Sequence, residues 1–253
     1  MSQDPYTLKG KTILITGASS GIGRAIAVAC SARGAACCVL VGRRREALEE
    51  TASMLAVGDG CVPVIAVHDL SDTDSLDGLV VSLPEIDGLV LNAGTNKMKP
   101  LQFYSGSDIE NIFGINCFSP VLLLKQLVKK KKLARGGSVV FMSSISGHGN
   151  VSVGNGIYGA SKSAVTTFME YAALELAPKS IRCNSVHPGR VETPLIMNGV
   201  TDEETVKADK EKYPLKRYGR PEEVAHAVVY LLSDAAAWVT GSSLVIDGGR
   251  SLV

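Results

Sequence analysis

Thr16-Gly17-Ala18-Ser19-Ser20-Gly21-Ile22-Gly23 directly follows the apolar run Thr12–Thr16 and opens a helical stretch over Gly21–Ala32. Glycines at these places permit a tight turn and let the backbone approach a bound group closely. A helix that starts there offers free N–H groups and a partial positive charge, which suits a pyrophosphate. A glycine cluster alone says little, because ordinary turns use glycine. Its place between a strand and a helix makes it a dinucleotide-binding turn, carried by Gly17, Ser19, Ser20, Gly21, Ile22 and Gly23.

Outward from that turn, two kinds of segment alternate. Apolar runs of strand length are Thr12–Thr16, Ala36–Val41, Val62–Val67, Gly88–Leu91, Ser138–Met142, Arg182–Val186 and Ser243–Ile246. They are rich in Val, Ile and Leu, as strands covered on both faces should be. Helical stretches fall at Gly21–Ala32, Arg44–Leu55, Thr73–Leu83, Asp108–Lys132, Tyr158–Ala177 and Pro221–Leu232. The last opens with proline and two acids, a sound helix start. The alternation predicts an α/β fold: a doubly wound, seven-stranded parallel sheet with helices on both faces. No repeat or long linker interrupts it, so residues 1–253 read as one domain.

Composition narrows the function. The chain has 253 residues, 45% hydrophobic and 20% charged, with a formal net charge of +1, so nucleic-acid and membrane-surface partners are not expected. The start, MSQDPYTLKGK, lacks the basic and apolar parts of a signal peptide. No apolar run approaches the roughly 18–20 residues that span a bilayer. Cys30, Cys37, Cys38, Cys61, Cys117 and Cys183 form no CxxC pair, and His68, His148, His187 and His226 show no ligand spacing. Reduced core thiols, no metal and a cytoplasmic location are the expectations.

Tyr158 and Lys162 are four apart and share a helix face. A free phenol is a poor acid/base near neutrality, and a neighbouring ammonium lowers its pKa. Hydride addition to a carbonyl leaves an alkoxide that must be protonated, so such a pair suits that chemistry. At the end of the second strand stands Gly42, where an acid would favour NAD, followed by Arg43 and Arg44, whose planar donors suit a 2′-phosphate. NADP is therefore expected over NAD.

The GxxxGxG spacing of residues 17–23, with the later motifs in order, resembles the short-chain dehydrogenase/reductase family in its compact single-domain branch, and is similar to 3-oxoacyl-(acyl-carrier-protein) reductases. The resemblance covers nearly the whole chain and implies a Rossmann-like sheet. It implies that Asp69 and Leu70 face adenine, that Asn92, Ala93 and Gly94 line the ribose, and that Pro188, Gly189, Val191 and Thr193 hold the carboxamide. It makes Tyr158 the acid/base, Lys162 its pKa-lowering and ribose-holding partner, and Ser144 (with Ser143 second) the group that polarises the carbonyl. Asn116 would bend its helix and hold a relay water, and Asn155 would meet substrate. A substrate lid would lie around 193–215, beginning apolar at Leu195, Ile196 and Met197. Lys129–Lys132 read as a solvated helix end or, by the resemblance, as a dock for an acidic carrier. A homotetramer is implied too. The substrate is a small carbonyl or alcohol, free or carrier-bound. The rival readings are a sugar, polyol or other secondary-alcohol dehydrogenase, and a non-catalytic nucleotide-sensing module.

Overall fold

Alternate residues of a strand face opposite sides of a sheet, so a run such as Ile13-Leu14-Ile15 needs apolar cover on both. A computed structural model describing residues 4–56, 60–194 and 202–253 shows how the cover is supplied. Strands β1 (Thr12–Thr16), β2 (Cys37–Gly42), β3 (Val62–Val67), β4 (Ile86–Leu91), β5 (Leu133–Met142), β6 (Arg182–Pro188) and β7 (Ser243–Ile246) form one sheet in the order β3-β2-β1-β4-β5-β6-β7. Every pairing is parallel. The helices are α1 (Gly21–Ala32), α2 (Arg45–Ser53), α3 (Leu76–Ser82), α4 (Gly106–Phe113), α5 (Ser119–Lys129), α6 (Gly156–Leu176), α7 (Glu203–Lys210) and α8 (Pro221–Leu232).

Ile13 and Ile15 pack with Ile26 of α1 and with Val224, Val228 and Leu232 of α8. Leu14 and Phe141 face the other way, onto Leu76 of α3, Leu123 of α5 and Val165 and Met169 of α6. Two apolar layers thus sandwich the doubly wound sheet expected from the sequence. Strand order reverses between β1 and β4, and a crevice at the carboxyl ends of those strands is where such sheets bind ligands.

The long helix expected over Asp108–Lys132 is three pieces. It starts at Gly106 because Ser105 and Asp108 form a reciprocal capping box. A π-helical segment, Gly114–Phe118, joins α4 to α5. The helix stops at Lys129, and Lys131 then takes a left-handed conformation (φ 56) that turns the chain into β5. Contrary to the sequence expectation, the continuous run Gly106–Lys129 is long and apolar enough by length and composition to cross a bilayer. Its apolar side, with Ile112, Leu123, Leu124 and Leu127, is buried in the fold instead.

Two elements differ from expectation for simple reasons. Strand β5 begins five residues early, pairing Leu133 with Ile86 before a register shift brings Ser138 opposite Gly88. The charged stretch expected to belong to a lid contains α7, capped by Asp202 through the backbone N–H groups of Glu204 and Thr205. The lid's apolar opening at Leu195, Ile196 and Met197 lies outside the described residues.

The turn from β1 into α1 leaves no room at Gly23. A Cβ there would sit 2.2 Å from the Gly17 carbonyl oxygen and 2.6 Å from Asn92 Nδ2. Gly23→Ala should therefore push helix and strand apart, lowering stability by about 1–3 kcal/mol in a urea titration and weakening nucleotide affinity in parallel.

Candidate active site

The nucleotide turn is built from its backbone. Gly17 (φ 66) and Gly21 (φ 54) occupy the left-handed region, which lets the chain pass under α1. Ser20 precedes the helix in an extended conformation, its side chain caps nothing, and the first turn carries no acid, so the N–H groups face the cleft. Arg24 holds this turn to α2: its guanidinium donates to both Glu50 carboxylate oxygens at 2.7 Å, to the Ser19 carbonyl at 2.9 Å and to Thr51 Oγ1 at 3.1 Å. Thr193 stands across the cleft, with Cγ2 3.2 Å from where a Gly21 Cβ would be. Such a glycine cradle fits a pyrophosphate, and any larger residue would fill it.

At the β2 end, Arg43 is exposed and its Nη1 lies 4.0 Å from Asp69 Oδ2. Arg44 is the residue before α2, and Gly42 packs against Leu48. Asp69 accepts from the Ser71 N–H and hydroxyl, and these bonds hold its pKa below the ordinary value despite partial burial. Leu70, expected beside adenine, sits in the core with Leu76 and Leu79, so only its backbone can face a nucleotide. Asn92 Nδ2 donates to the Thr16 carbonyl at 2.9 Å, while the N–H groups of Asn92 and Ala93 both donate to the Thr16 hydroxyl.

Tyr158, Lys162, Ser144 and Asn116 converge at the same edge of the sheet. The Tyr158 ring lies 5.9 Å from Lys162 Nζ, on one face of α6. Helix α6 approaches the turn after β5 through two glycines: a Cβ on Gly147 would be 2.7 Å from the Lys162 carbonyl carbon, and one on Gly159 would be 2.8 Å from the Ser146 carbonyl oxygen. Ser144 Oγ accepts from the Ser146 N–H at 3.2 Å, which aims its own proton away, and the hydroxyl lies on the Tyr158 side, where it draws the phenol's pKa down. Ser143, the residue immediately before it, faces the interior. Its hydroxyl is engaged by the Lys162 carbonyl at 3.1 Å and by Thr166 Oγ1 at 2.8 Å.

Asn116 lies within the π segment, a helical irregularity common at functional sites. Its Oδ1 accepts from the Thr95 N–H at 2.8 Å, and its Nδ2 donates to the Thr95 carbonyl at 2.9 Å and to Ser161 Oγ at 3.1 Å. Asn116 Oδ1 and Lys162 Nζ both lie over Gly94, at 3.3 and 3.4 Å from its would-be Cβ. Asn155 precedes α6 and is held by Asn96 Nδ2 at 3.0 Å and by Ser152 Oγ at 2.9 Å.

The electrostatics depart from the simple expectation. Burial pushes the Tyr158 phenol up, only partly offset by Ser144. Lys162 is buried with Nζ donating to the Met142 carbonyl at 2.8 Å, and desolvation lowers its pKa to about 8. A lysine that loses its proton near 8 is no longer a cation when a phenol of higher pKa titrates, so in this state it cannot lower the tyrosine. A ligand hydroxyl beside Nζ would favour the ammonium and restore the expected coupling.

The remaining expected residues have other surroundings. Val191 bridges to Gly219, and Gly189 packs on Asp247. Helix α7 rests on the segment after Pro188 through Arg190–Asp209 at 3.2 Å and Lys210–Glu192 at 2.9 Å. Of the basic run, Lys130 pairs with Asp77 at 2.9 Å and Lys132 Nζ donates to the Leu83 carbonyl. Thr16, Arg24, Thr95 and Ser161 were not singled out from the sequence. Their roles rest on side-chain and backbone bonds between segments far apart in the chain, which no local pattern reveals.

What the carboxyl edge of this sheet presents belongs to a nucleotide-dependent oxidoreductase acting on CH–OH and C=O groups. Residues 17–251 match the family described as enoyl-(acyl carrier protein) reductase. The chain is 34% identical to a 3-oxoacyl-[acyl-carrier-protein] reductase of Aquifex aeolicus, over 96% of this chain and 98% of that one. It is 33% identical to a glucose 1-dehydrogenase of Gluconobacter oxydans, over 96% and 92% respectively. A solved structure from Beutenbergia cavernae, described as an NAD(P)-dependent gluconate 5-dehydrogenase with NADP bound at low occupancy, superposes with a TM-score of 0.88. Its identity is 29% over 99% of this chain and 100% of that chain. The chain belongs to the short-chain dehydrogenase/reductase family.

Asn116→Ala would leave the half-buried Thr95 N–H and carbonyl without their side-chain partner. Thermal or urea unfolding should show a loss of about 2–4 kcal/mol, at 1–3 kcal/mol for each unsatisfied group with some relaxation. A loss below about 0.5 kcal/mol would mean that Thr95 finds other partners at once.

Proposed function

We propose that the chain is a single-domain NADP(H)-dependent oxidoreductase that interconverts a ketone and a secondary alcohol, with Tyr158 as the acid/base. The observation that carries the reading is the convergence of Tyr158, Ser144 and buried Lys162 at the sheet edge reached by the glycine turn. Thr193 and Lys162 would hold a nicotinamide cofactor, which when bound would supply or accept the hydride. Tyr158 gives a proton to the carbonyl oxygen in reduction and takes it back in oxidation. Ser144, whose Oγ already accepts from Ser146, directs its own proton to the same oxygen and polarises it. Lys162 holds the ribose and, as an ammonium, favours the phenolate. Asn116 keeps Thr95 and the helix bend in place beside Lys162, where a relay water would sit. Arg43 and Arg44, with Gly42 in place of an acid, take the 2′-phosphate.

A 3-oxoacyl thioester is the first substrate to try. A sugar or polyol is the second, favoured by the polar loop side chains His148, Asn150 and Asn155 and by the glucose dehydrogenase relative. Docking of an acidic carrier would fall to Lys129 and Lys131, since Lys130 and Lys132 are engaged. Helix α7 belongs to the lid, and the chain works in the cytoplasm as a homotetramer. Exposed Phe118, Tyr171, Leu174 and Trp238 suit subunit contacts.

NADPH oxidation should be followed with a short 3-oxoacyl thioester and with a panel of sugars and secondary alcohols in the reverse direction. Tyr158→Phe and Ser144→Ala should each lower kcat by about 100-fold or more, while Ser143→Ala should keep kcat within about threefold and lower stability by about 1 kcal/mol. Nucleotide binding without turnover on any substrate would overturn the enzymatic reading. Arg43→Ala should raise KM for NADPH by about tenfold, the loss of one charged hydrogen bond, and leave NADH unaffected. Equal use of NADH by the wild type would sink the cofactor choice.

The pH dependence has a defined sign. Reduction needs the Tyr158 proton, retained because burial raises its pKa, and the Lys162 ammonium, present below about 8 and lost above it. The kcat/KM for reduction with respect to NADPH, which reports the free enzyme, should thus be flat below neutrality and fall as pH rises through about 8. A rate that climbs over that interval would contradict the assignment.

A further inference from the structure

A histidine buried to 0% exposure is expensive unless its ring nitrogens are matched, and His187 on β6, a strand that also buries Asn184 and Ser185, is matched in one direction only. Its Nδ1 lies 3.2 Å from the Ser144 carbonyl oxygen and its Nε2 lies 2.8 Å from Ser185 Oγ. Ser185 Oγ lies 3.0 Å from Ser243 Oγ, its register partner on β7. A carbonyl oxygen can only accept, so Nδ1 carries the hydrogen. Burial pushes the imidazole down to about 4, so the ring is neutral near neutral pH and Nε2 is an acceptor. Ser185 therefore donates to Nε2, and Ser243 donates to Ser185. The tautomer and the direction of the whole chain follow from the one carbonyl at its end.

That carbonyl belongs to Ser144. Its oxygen also accepts the Gly147 N–H at 2.9 Å, so both lone pairs are filled, one by a local turn and one from the neighbouring strand. We propose that His187 is a positioning residue: by holding the Ser144 backbone from β6 and β7, it sets the direction in which the Ser144 hydroxyl meets the substrate oxygen. His148 packs on its outer side, with ring centroids 4.9 Å apart, and shields the pair from the loop. The turn Ile145–Gly147 alone would leave Ser144 free to rotate with its loop. The tie from His187 anchors it to the sheet. The inference rests on the reading of Ser144 given above.

The test separates the two nitrogens. In His187→Asn the amide Nδ2 stands near the lost Nδ1 and can still donate to the Ser144 carbonyl. His187→Gln instead reaches toward Ser185 and leaves that carbonyl with one donor. The Asn variant should keep kcat within about threefold, whereas the Gln variant should lose about 10- to 100-fold in kcat with the NADPH affinity and melting temperature little changed. The double variant Ser144→Ala/His187→Gln should be no slower than Ser144→Ala, because the loss acts through Ser144. Additive losses, wild-type kcat in the Gln variant, or kcat falling in both variants in step with melting temperature would overturn the proposal. If Ser144→Ala itself keeps full turnover, the reading of Ser144 fails first, and that outcome is distinct. Should His187→Gln not fold, Ser185→Ala decides. A fall in kcat that vanishes in the Ser144→Ala background supports the chain, and an unchanged kcat refutes it.

Discussion

The Thr16 hydroxyl is the interaction on which the site depends. It donates to the Val90 carbonyl at 3.2 Å and accepts the N–H groups of Asn92 and Ala93 at 2.9 and 3.0 Å. Strands β1 and β4 diverge at this point, where the winding reverses, and unpaired backbone would otherwise be exposed in the crevice. One hydroxyl supplies three bonds there. With Asn92 Nδ2 returning a bond to the Thr16 carbonyl, the glycine turn and the Asn92–Thr95 segment become one rigid piece. The same piece reaches the chemistry: Thr95 clamps Asn116, Asn116 donates to Ser161, and Ser161 donates to the Tyr158 carbonyl at 2.7 Å. The glycine turn and Tyr158 are thus linked by a chain of hydrogen bonds across four segments.

The charge arrangement runs against stability. Lys162 is 3% exposed, and its described hydrogen bond is to a neutral carbonyl rather than an acid. Its pKa near 8 measures the resulting strain on the ammonium. Desolvation disfavours the phenolate of Tyr158 as well, so burial moves both groups toward their neutral forms, the lysine keeping its proton only below about 8. A ligand hydroxyl beside Nζ would tip the lysine toward the ammonium, and the ammonium would in turn lower the phenol. The tyrosine–lysine spacing alone suggested a permanently lowered phenol. It omitted the burial that the packed glycines Gly147 and Gly159 impose.

Much of the fold was legible because most strands carry a short apolar run flanked by helical stretches. Strand β1, β3 and β7 and helices α1 and α8 fall at their expected bounds. Boundaries slipped where a side chain or backbone kink acts locally: the Ser105–Asp108 capping box, the left-handed Lys131, and the register shift that lengthens β5. Helix α7 was missed because it has no apolar period, although Asp202 before it and Lys207 and Lys210 in its last turn were helix signals. The choice between Ser143 and Ser144 shows the limit clearly. Neighbouring strand residues face opposite ways, so one of the two had to point inward, but the phase of the pleat is set by long-range register. Leu70 illustrates the same point, since motif position placed it at the adenine and packing placed it in the core.

The substrate wall is made in a different way from the rest. The loop after β4 and the loop before α6 are joined through backbone: Tyr104 OH lies between the carbonyls of Lys97 and Gly154, at 2.8 and 2.7 Å, and shares its one proton between them, and the Lys99 N–H donates to the Gly154 carbonyl at 3.1 Å. Asp108 accepts from Lys97 and Lys99 at 2.6 Å each and fixes the first loop to α4. Because these ties use main chain and a few anchors, the side chains on the rim are left free of structural duty. Met98, Val151 and Val153 are exposed accordingly. A rim of that kind can change its chemistry without disturbing the Thr16-to-Tyr158 chain beneath it. Relatives at about the same identity, one a reductase of carrier-bound acids and the other a glucose dehydrogenase, are what such a separation of scaffold from rim produces.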